Sequence, residues 1–170
     1  ALLFFFSGHG FATSAAKNYL VTAGVTAEDV AEEGLSLEKL QAELQRSPAR
    51  QKMMFIDACR NEPGKSAGAR TFSNLQASSG LRVLLSTQSG KMSFENDSLK
   101  QGVFTHFLLR GIAGEAAGTD GLVTFRDLSD YLAVSVRKWS FEQGFMQVPV
   151  ERSDEASGDF LLARGNVAPI

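Results

Sequence analysis

The chain has 170 residues, of which 44% are hydrophobic and 21% charged, a composition typical of one globular domain. A formal net charge of -2 lacks the basic excess that binds nucleic acid or an anionic membrane, so neither partner is expected. The single Cys excludes an internal disulfide, and with 2 His it is too few for a closed zinc site, which favours a reducing, cytoplasmic compartment. The longest apolar run, Ala1 to Phe6, is far shorter than the roughly 20 residues that span a bilayer.

Three short apolar runs predict the buried strands of a parallel sheet. Residues 2–6 are apolar on both faces and rich in aromatic side chains, and we expect this strand to end at Ser7. Residues 53–56 form a second run, which ends at Cys59, and residues 81–85 form a third. Strands that are apolar on both faces are typical of a parallel sheet covered by helices on its two sides.

Apolar residues at helical spacing predict three helices between the strands. Ser36 caps the first helix, which ends before Pro48, and the second covers residues 103–113. Thr124 and Asp127 form a capping box that begins the third. Because strands and helices alternate, we expect an α/β fold in one domain, with a mostly parallel sheet between two layers of helices.

Two polar segments and one further strand complete the prediction. Residues 61–80 are rich in Gly, Ser, Ala and Asn, contain Lys65 and Arg70, and predict a long mobile loop within the domain. Residues 86–98 follow the third strand, where loops often contact ligands. A last short strand is predicted at residues 159–163.

Two of the predicted strands are followed by chemically reactive residues. His9 lies between Gly8 and Gly10 after the first strand, and Cys59 belongs to the segment 57–60 after the second. Because the carboxyl ends of parallel strands meet at one edge of a sheet, the imidazole and the thiol come together if these strands are neighbours. An imidazole can take a thiol proton and later protonate a leaving amine, which indicates nucleophilic catalysis. The amides of Gly10 and Cys59 are candidates for an oxyanion hole.

Each of these residues also has a purely structural interpretation. A free cysteine at the end of an apolar run is most often an inert core residue, and a lone histidine is more often structural than catalytic. The combination favours catalysis, because a glycine-flanked His follows one strand, an Asp-Ala-Cys-Arg segment follows a later strand, and a crossover helix lies between them.

The segments around His9 and Cys59 resemble a known family. Phe-Ser-Gly-His-Gly at residues 6–10 is similar to the histidine motif of metacaspases, and Asp57 stands where an animal caspase has Gln. The His precedes the Cys by about 50 residues, as it does in caspases. The chain therefore resembles the caspase-like cysteine peptidases, and most closely their metacaspase, paracaspase and bacterial orthocaspase branch. The similarity extends through nearly all of the chain, in Asn18-Tyr19-Leu20, Gly102-Val103-Phe104-Thr105 and Asp159-Phe160-Leu161.

The resemblance implies a caspase-like three-layer sandwich, with His9 as base and Cys59 as nucleophile in the hydrolysis of a peptide or protein. In the metacaspase and paracaspase branch, the Ser two residues before the His and the acid two residues before the Cys line the pocket for a basic P1 side chain. Here these residues are Ser7 and Asp57. A carboxylate at that place attracts Arg or Lys and repels Asp, so we expect cleavage after Arg or Lys. The structural alternative for Asp57 is a loop carboxylate that bonds local amides.

Two other functions fit the same resemblance. One is a catalytically silent caspase-like scaffold, which would be marked by loss of the His or the Cys, although both are present. The other is a partner-activated protease of a bacterial defence or signalling system. Some metacaspases need calcium, but no acidic cluster in the sequence is dense enough to assign, so no cofactor is predicted.

The start of the chain gives a further expectation. A caspase-like domain normally places two strands before the strand that carries the His motif, whereas this chain begins on that strand. We therefore expect a fragment or a processed subunit, whose first strand pairs with an upstream segment or a partner chain that adds an acidic wall to the P1 pocket. A peptidase specific for Arg or Lys is also expected to cut itself at Lys65 or Arg70.

Overall fold

A computed structural model describes residues 1–13, 17–26, 28–59, 80–88, 91, 93–153 and 158–165, with the backbone alone at Cys59. Of the predicted loop at 61–80, with Lys65 and Arg70, only Gly80 lies within the described residues. The strands are β1 (Leu2–Ala12), β2 (Asn18–Leu20), β3 (Leu35–Ser36), β4 (Lys52–Cys59), β5 (Leu81–Leu85), β6 (Glu95–Asn96), β7 (Gln101–Gly102), β8 (Leu122–Thr124), β9 (Val150–Ser153) and β10 (Leu161–Arg164). The helices are α1 (Val30–Glu33), α2 (Leu37–Arg46), α3 (Val103–Arg110) and α4 (Phe125–Glu142), and a π-helical turn (Gly111–Glu115) follows α3.

In the part of the chain that the structure describes, a six-stranded mixed sheet with the order β3-β2-β1-β4-β5-β9 forms the middle layer. The neighbours β1, β4 and β5 run parallel, and β2, β3 and β9 extend this sheet by antiparallel pairing. Two small antiparallel ribbons, β10 with β8 and β6 with β7, lie outside the main sheet. The predicted α/β class is confirmed, but the predicted last strand belongs to the β8–β10 ribbon and begins at Leu161.

Helices cover the sheet on both sides, and their predicted caps are present. The backbone N–H of Lys39 donates to the hydroxyl of Ser36 at the start of α2, and Thr124 and Asp127 form the capping box of α4. The core on the α2 side contains Leu20, Leu37, Leu44, Met54, Ile56, Ala58, Leu81, Val83 and Leu85. The core on the side of α3 and α4 is larger, and its buried members include Met53, Phe55, Leu84, Phe104, Leu108, Phe125, Leu128, Leu132 and Phe160.

Strand β1 differs from the prediction in its length and in its covering. It runs past Ser7 to Ala12, because its last three residues pair with β2. Its even-numbered residues face the α2 side, but on the other face Leu3 is 51% and Phe5 is 42% exposed. Within the described part of the chain, residues 2–8 have a strand partner only on the β4 edge. The prediction that this strand is covered on both faces is therefore wrong for the described residues.

A buried arginine links β5 to the C-terminal part of the chain. Arg82 is 5% exposed, and its Nη1 lies 3.2 Å from Glu151 Oε1 and 3.7 Å from Asp159 Oδ1. Its guanidinium also lies over the rings of Phe125 and Phe160, at 5.0 and 5.4 Å from their centroids. Burial alone would raise the pKa of the Asp159 carboxyl, but hydrogen bonds and the charge of Arg82 lower it below its ordinary value.

The π-helical turn carries a polar cluster on the surface. Tyr131 donates its hydroxyl hydrogen to Glu115 Oε2 at 2.7 Å, and Arg110 Nε donates to Glu115 Oε1 at 2.6 Å. Partial burial, together with the hydrogen bond to Glu115, raises the pKa of Tyr131 to about 12. Hydrogen bonds from Arg110 and Tyr131 lower the pKa of Glu115.

Candidate active site

The parallel pairing of β1 with β4 brings the two predicted motifs to one edge of the sheet. Ser7 lies opposite Asp57 in this pairing, and His9 lies opposite Cys59. Because neighbouring strands are about 4.8 Å apart, the backbones of His9 and Cys59 lie at about that spacing. The side chains of Ser7 and His9 are exposed, whereas that of Cys59 lies outside the described residues. The predicted neighbourhood of the two strands is present, and the catalytic roles of His9 and Cys59 stay predictions.

Gly8 and Gly10, on either side of His9, differ in the structural reason for which a glycine is found there. Gly8 has a φ of 157°, and a Cβ at this position would come 3.0 Å from the ring of Phe6, so a larger residue would be strained and crowded. Gly10 is buried and is paired with Leu20 of β2. With these two glycines, β1 continues past His9 in an extended conformation and pairs with β2. The role of the Gly10 and Cys59 amides as an oxyanion hole stays a prediction.

Asp57 is held firmly by residues that lie far away in the sequence. Asp57 is 5% exposed, and its carboxylate accepts a hydrogen bond from Ser93 Oγ at 2.8 Å. It also accepts bonds from the backbone N–H and the hydroxyl of Thr105, at 3.2 and 2.5 Å. Gly102 packs so closely that a Cβ there would lie 3.1 Å from Asp57 Cγ. These donors stand 36 and 48 residues away, so the bonds are not local loop contacts.

A cleft of about 530 Å³ lies beside this carboxylate. Glu95 and Asp97 bring two exposed carboxylates to it, and Lys100 brings one positive charge. Asp57 does not itself line the cleft, but it contacts two residues that do, so its charge lies directly behind the wall. The cleft is lined by Ser7, Glu95, Asn96, Asp97, Lys100, Gln101, Gly102 and Thr105.

Among the residues that line this cleft, only Ser7 was a candidate from the sequence. Its predicted role in binding a P1 side chain stays a prediction, and Glu95 and Asp97 were not assigned a role. The available signal was their position in the polar segment 86–98. Their common orientation comes from the short β6–β7 hairpin, whose turn includes Lys100 in the left-handed region with a φ of 56°.

The described residues show neither a metal-binding cluster nor a membrane-spanning helix. In that part of the chain, no group of three or more His, Cys, Asp or Glu side chains is arranged to hold a metal ion. None of the helices there combines the length and the apolar character needed to span a bilayer.

Comparison with known proteins identifies the family. The family model of the caspase domain matches residues 1–161, a range that includes β1, β4 and every residue that lines the cleft. No curated protein matches the chain at a significant level. The mixed α/β sheet between two layers of helices agrees with the family match. Since the match covers almost the whole sequence, the chain belongs to the caspase-domain family of cysteine peptidases.

Proposed function

We propose that this protein is a cysteine endopeptidase that cleaves peptide bonds after Arg or Lys, with Cys59 as nucleophile and His9 as base. The observation that carries the proposal is the pairing of β1 with β4, which sets His9 opposite Cys59 two residues beyond Ser7 of the cleft. Membership of the caspase-domain family supports peptidase chemistry in general. The exposure of His9 gives a substrate access to its imidazole.

In the proposed reaction, His9 accepts the thiol proton of Cys59, and the thiolate sulfur attacks the carbonyl carbon of the scissile bond. The amides of Gly10 and Cys59 stabilise the negative charge on the carbonyl oxygen. The C–N bond breaks as His9 returns the proton to the leaving amine, which leaves a thioester on Cys59. His9 then takes a proton from water, whose oxygen attacks the thioester carbon, and the C–S bond breaks to release the carboxyl product and the thiol.

Charges around the cleft support a basic P1 side chain. Glu95 and Asp97 line the cleft and Asp57 lies behind its wall, so among the described residues of the cleft three carboxylates oppose the positive charge of Lys100. A guanidinium or an ammonium group entering the cleft gains charge-assisted hydrogen bonds, whereas an aspartate side chain is repelled. The hydroxyl of Ser7 adds a hydrogen-bonding group to the same cleft.

A peptide library that varies only the P1 residue tests the proposal directly. We expect the wild-type protein to cleave after Arg and Lys, and the variants Cys59→Ala and His9→Ala to lose at least about a thousandfold in kcat, as for removal of other paired nucleophiles and bases. Retention of activity in Cys59→Ala would exclude Cys59 as the nucleophile. Cleavage confined to peptides with Asp at P1 would contradict the proposed specificity.

The contribution of the cleft carboxylates can be tested separately. We expect Glu95→Gln and Asp97→Asn each to lower kcat/KM for an Arg peptide about two- to fivefold, because exposed ion pairs are worth little individually. The effect should shrink at high salt. Glu142→Gln makes the same charge change at an exposed position at the end of α4, so an equal loss in that variant would mean that only net charge matters.

We also propose that an upstream segment or a partner chain covers β1. Leu3 and Phe5 are exposed on one face, and no strand within the described residues pairs with residues 2–8 on the edge away from β4. An open strand edge of this kind is a ready template for pairing. Light scattering and activity measurements on the 170-residue chain test the proposal. A chain that is monomeric, fully folded and active by itself would show that no such partner is needed.

A further inference from the structure

A tight reversal after α4 turns the chain back toward the segment that precedes the cleft residues. Gly144 has a φ of 84°, its N–H donates to Phe141 O, and the N–H of Phe145 donates to Ser140 O. These bonds form a Schellman motif, which ends the helix and reverses the chain. The ring of Phe145 then stacks on Phe94, with 3.7 Å between the centroids. The motif thus brings the residues that follow it against the segment that leads into the cleft.

Gln147, two residues further on, is completely buried, and both the oxygen and the nitrogen of its side-chain amide make hydrogen bonds. Its Oε1 accepts from the backbone N–H of Phe94 at 3.0 Å. Its Nε2 donates to Ser86 O at 3.0 Å and to Ser93 Oγ at 3.1 Å. The carbonyl of Phe94 in turn accepts from the N–H of Val103 at the start of α3. One side chain therefore connects the end of β5, the residues before Glu95 and, through Phe94, helix α3.

The hydrogen bonds of Ser93 have a fixed direction. An ionised Asp57 can only accept, so the Ser93 hydroxyl must donate its single hydrogen to Asp57 Oδ1, at 2.8 Å. Toward residue 147 the Ser93 oxygen is then an acceptor, and the N–H of the Gln147 amide supplies the matching donor. The Phe94 N–H requires an acceptor from the same side chain. A glutamine amide meets both demands, whereas Glu, which is the same size, lacks the donor and Met lacks both groups.

We propose that Gln147 is a positioning residue for the P1 cleft, which fixes Asp57 through Ser93 and fixes the start of the Glu95–Asn96 strand through Phe94. This inference rests on the proposed function, since it assigns Gln147 to the binding of the basic P1 side chain. Gln147 does not line the cleft. It acts by fixing the orientation of residues that line the cleft or that lie directly behind its wall.

The test compares Gln147 with Gln143, the C-cap residue of α4 within the Schellman motif. Gln147→Glu and Gln147→Met alter the buried amide, and Gln143→Glu and Gln143→Met make the same changes at an exposed position. We expect KM for an Arg peptide to rise about five- to tenfold in the Gln147 variants, the effect of roughly one lost hydrogen bond, with kcat changed less than twofold. The Gln143 variants should keep the wild-type KM. The rate at which iodoacetamide alkylates Cys59 should not change, because the thiol and His9 are untouched.

Two further measurements separate this inference from the proposed function. Calorimetric titration with agmatine, a guanidinium probe without a scissile bond, should show a matching loss of affinity in the Gln147 variants even if no peptide is cleaved. Amide hydrogen exchange should show faster exchange at Phe94 in Gln147→Met and not in Gln143→Met. If circular dichroism shows that the Gln147 variants are unfolded, Ser93→Ala, which removes only the bridging hydroxyl, should weaken agmatine binding in the same way. Unchanged KM and agmatine affinity in a folded Gln147→Glu or Ser93→Ala variant would overturn the inference, and so would an equal change in Gln143→Glu.

Discussion

Replacement of Gly102 by Ala should disturb Asp57 by direct contact. Gly102 has ordinary backbone angles, φ −59° and ψ 142°, so alanine meets no conformational strain there. A Cβ would lie 3.1 Å from Asp57 Cγ and 3.5 Å from Oδ1, and nearer still to Oδ2. Since carbon atoms normally approach to about 3.5–4.0 Å, the carboxylate would have to withdraw by roughly 0.5–1 Å. That movement weakens the two bonds that Thr105 donates to Asp57.

The expected cost follows from crowding and from the weakened hydrogen bonds. Overpacking costs about 1–3 kcal/mol and a hydrogen bond to a charged group contributes about 1.5–3 kcal/mol, and because the two losses overlap we expect about 2–4 kcal/mol in total. For a chain of this size that corresponds to a fall in Tm of roughly 4–16 °C. Urea unfolding followed by the fluorescence of Trp139, the single Trp of the chain, measures the change in free energy of unfolding.

A double-mutant cycle with Asp57→Ala isolates the contact. In that background the carboxylate is absent, so Gly102→Ala should cost close to zero, because a slightly poorer N-cap is offset by the reduced entropy of the unfolded chain. The expected coupling energy between the two positions is therefore about 2–4 kcal/mol. An equal cost of Gly102→Ala in both backgrounds, or a cost below about 0.5 kcal/mol in the wild type, would refute the reasoning.

Three further predictions concern other parts of the fold. Gly144→Ala should cost about 1–2 kcal/mol through its positive φ and should raise KM through Gln147, whereas Gly24→Ala, with a similar φ of 86° and open surroundings, should affect stability alone. Asp159 has a lowered pKa, so its stabilising effect is present above its unfolded pKa and is lost as the pH falls through the folded value. The stability gap between the wild type and Asp159→Asn should therefore be wider at pH 7 than at pH 3 in urea titrations. Absorbance titration should give Tyr131 a pKa of about 12, and Glu115→Gln should lower this pKa because the negatively charged acceptor is removed. An unchanged pKa of Tyr131 in Glu115→Gln would contradict the role of the hydrogen bond between them.

Local patterns in the sequence predicted the strands and helix caps that are determined by residues close to one another in the chain. The strands that carry the reactive motifs appear as continuous apolar runs, and the caps at Ser36 and Thr124 follow from side chains that bond backbone N–H groups three residues on. The neighbourhood of His9 and Cys59 was also predictable, since both follow parallel strands and a crossover connection separates them. These features depend on residue type and spacing within one element, or on a general rule of sheet topology.

The cleft was less predictable because its geometry comes from contacts between distant segments. The partners of Asp57 are 36 and 48 residues away, and no periodicity in the sequence records that they meet. The β6–β7 ribbon has two residues in each strand, too few to show an alternating pattern. Gln147 is fully buried although glutamine is usually exposed, because three separate partners satisfy its amide. The exposure of Leu3 and Phe5 was missed because an apolar run does not reveal whether a second covering layer is present.

The pairing of β1 with β4 limits how this site could change during evolution or be transplanted by design. The proposed base and nucleophile occupy one pair of opposing positions, and Ser7 and Asp57 occupy the pair two residues earlier. Insertion of a single residue in either strand would turn everything beyond it to the opposite face, and insertion of two would displace one motif by about 6.6 Å along its neighbour. The proposed catalytic pair and the proposed P1 residues are thus inherited together, and a graft onto another scaffold has to carry both strands in their present alignment.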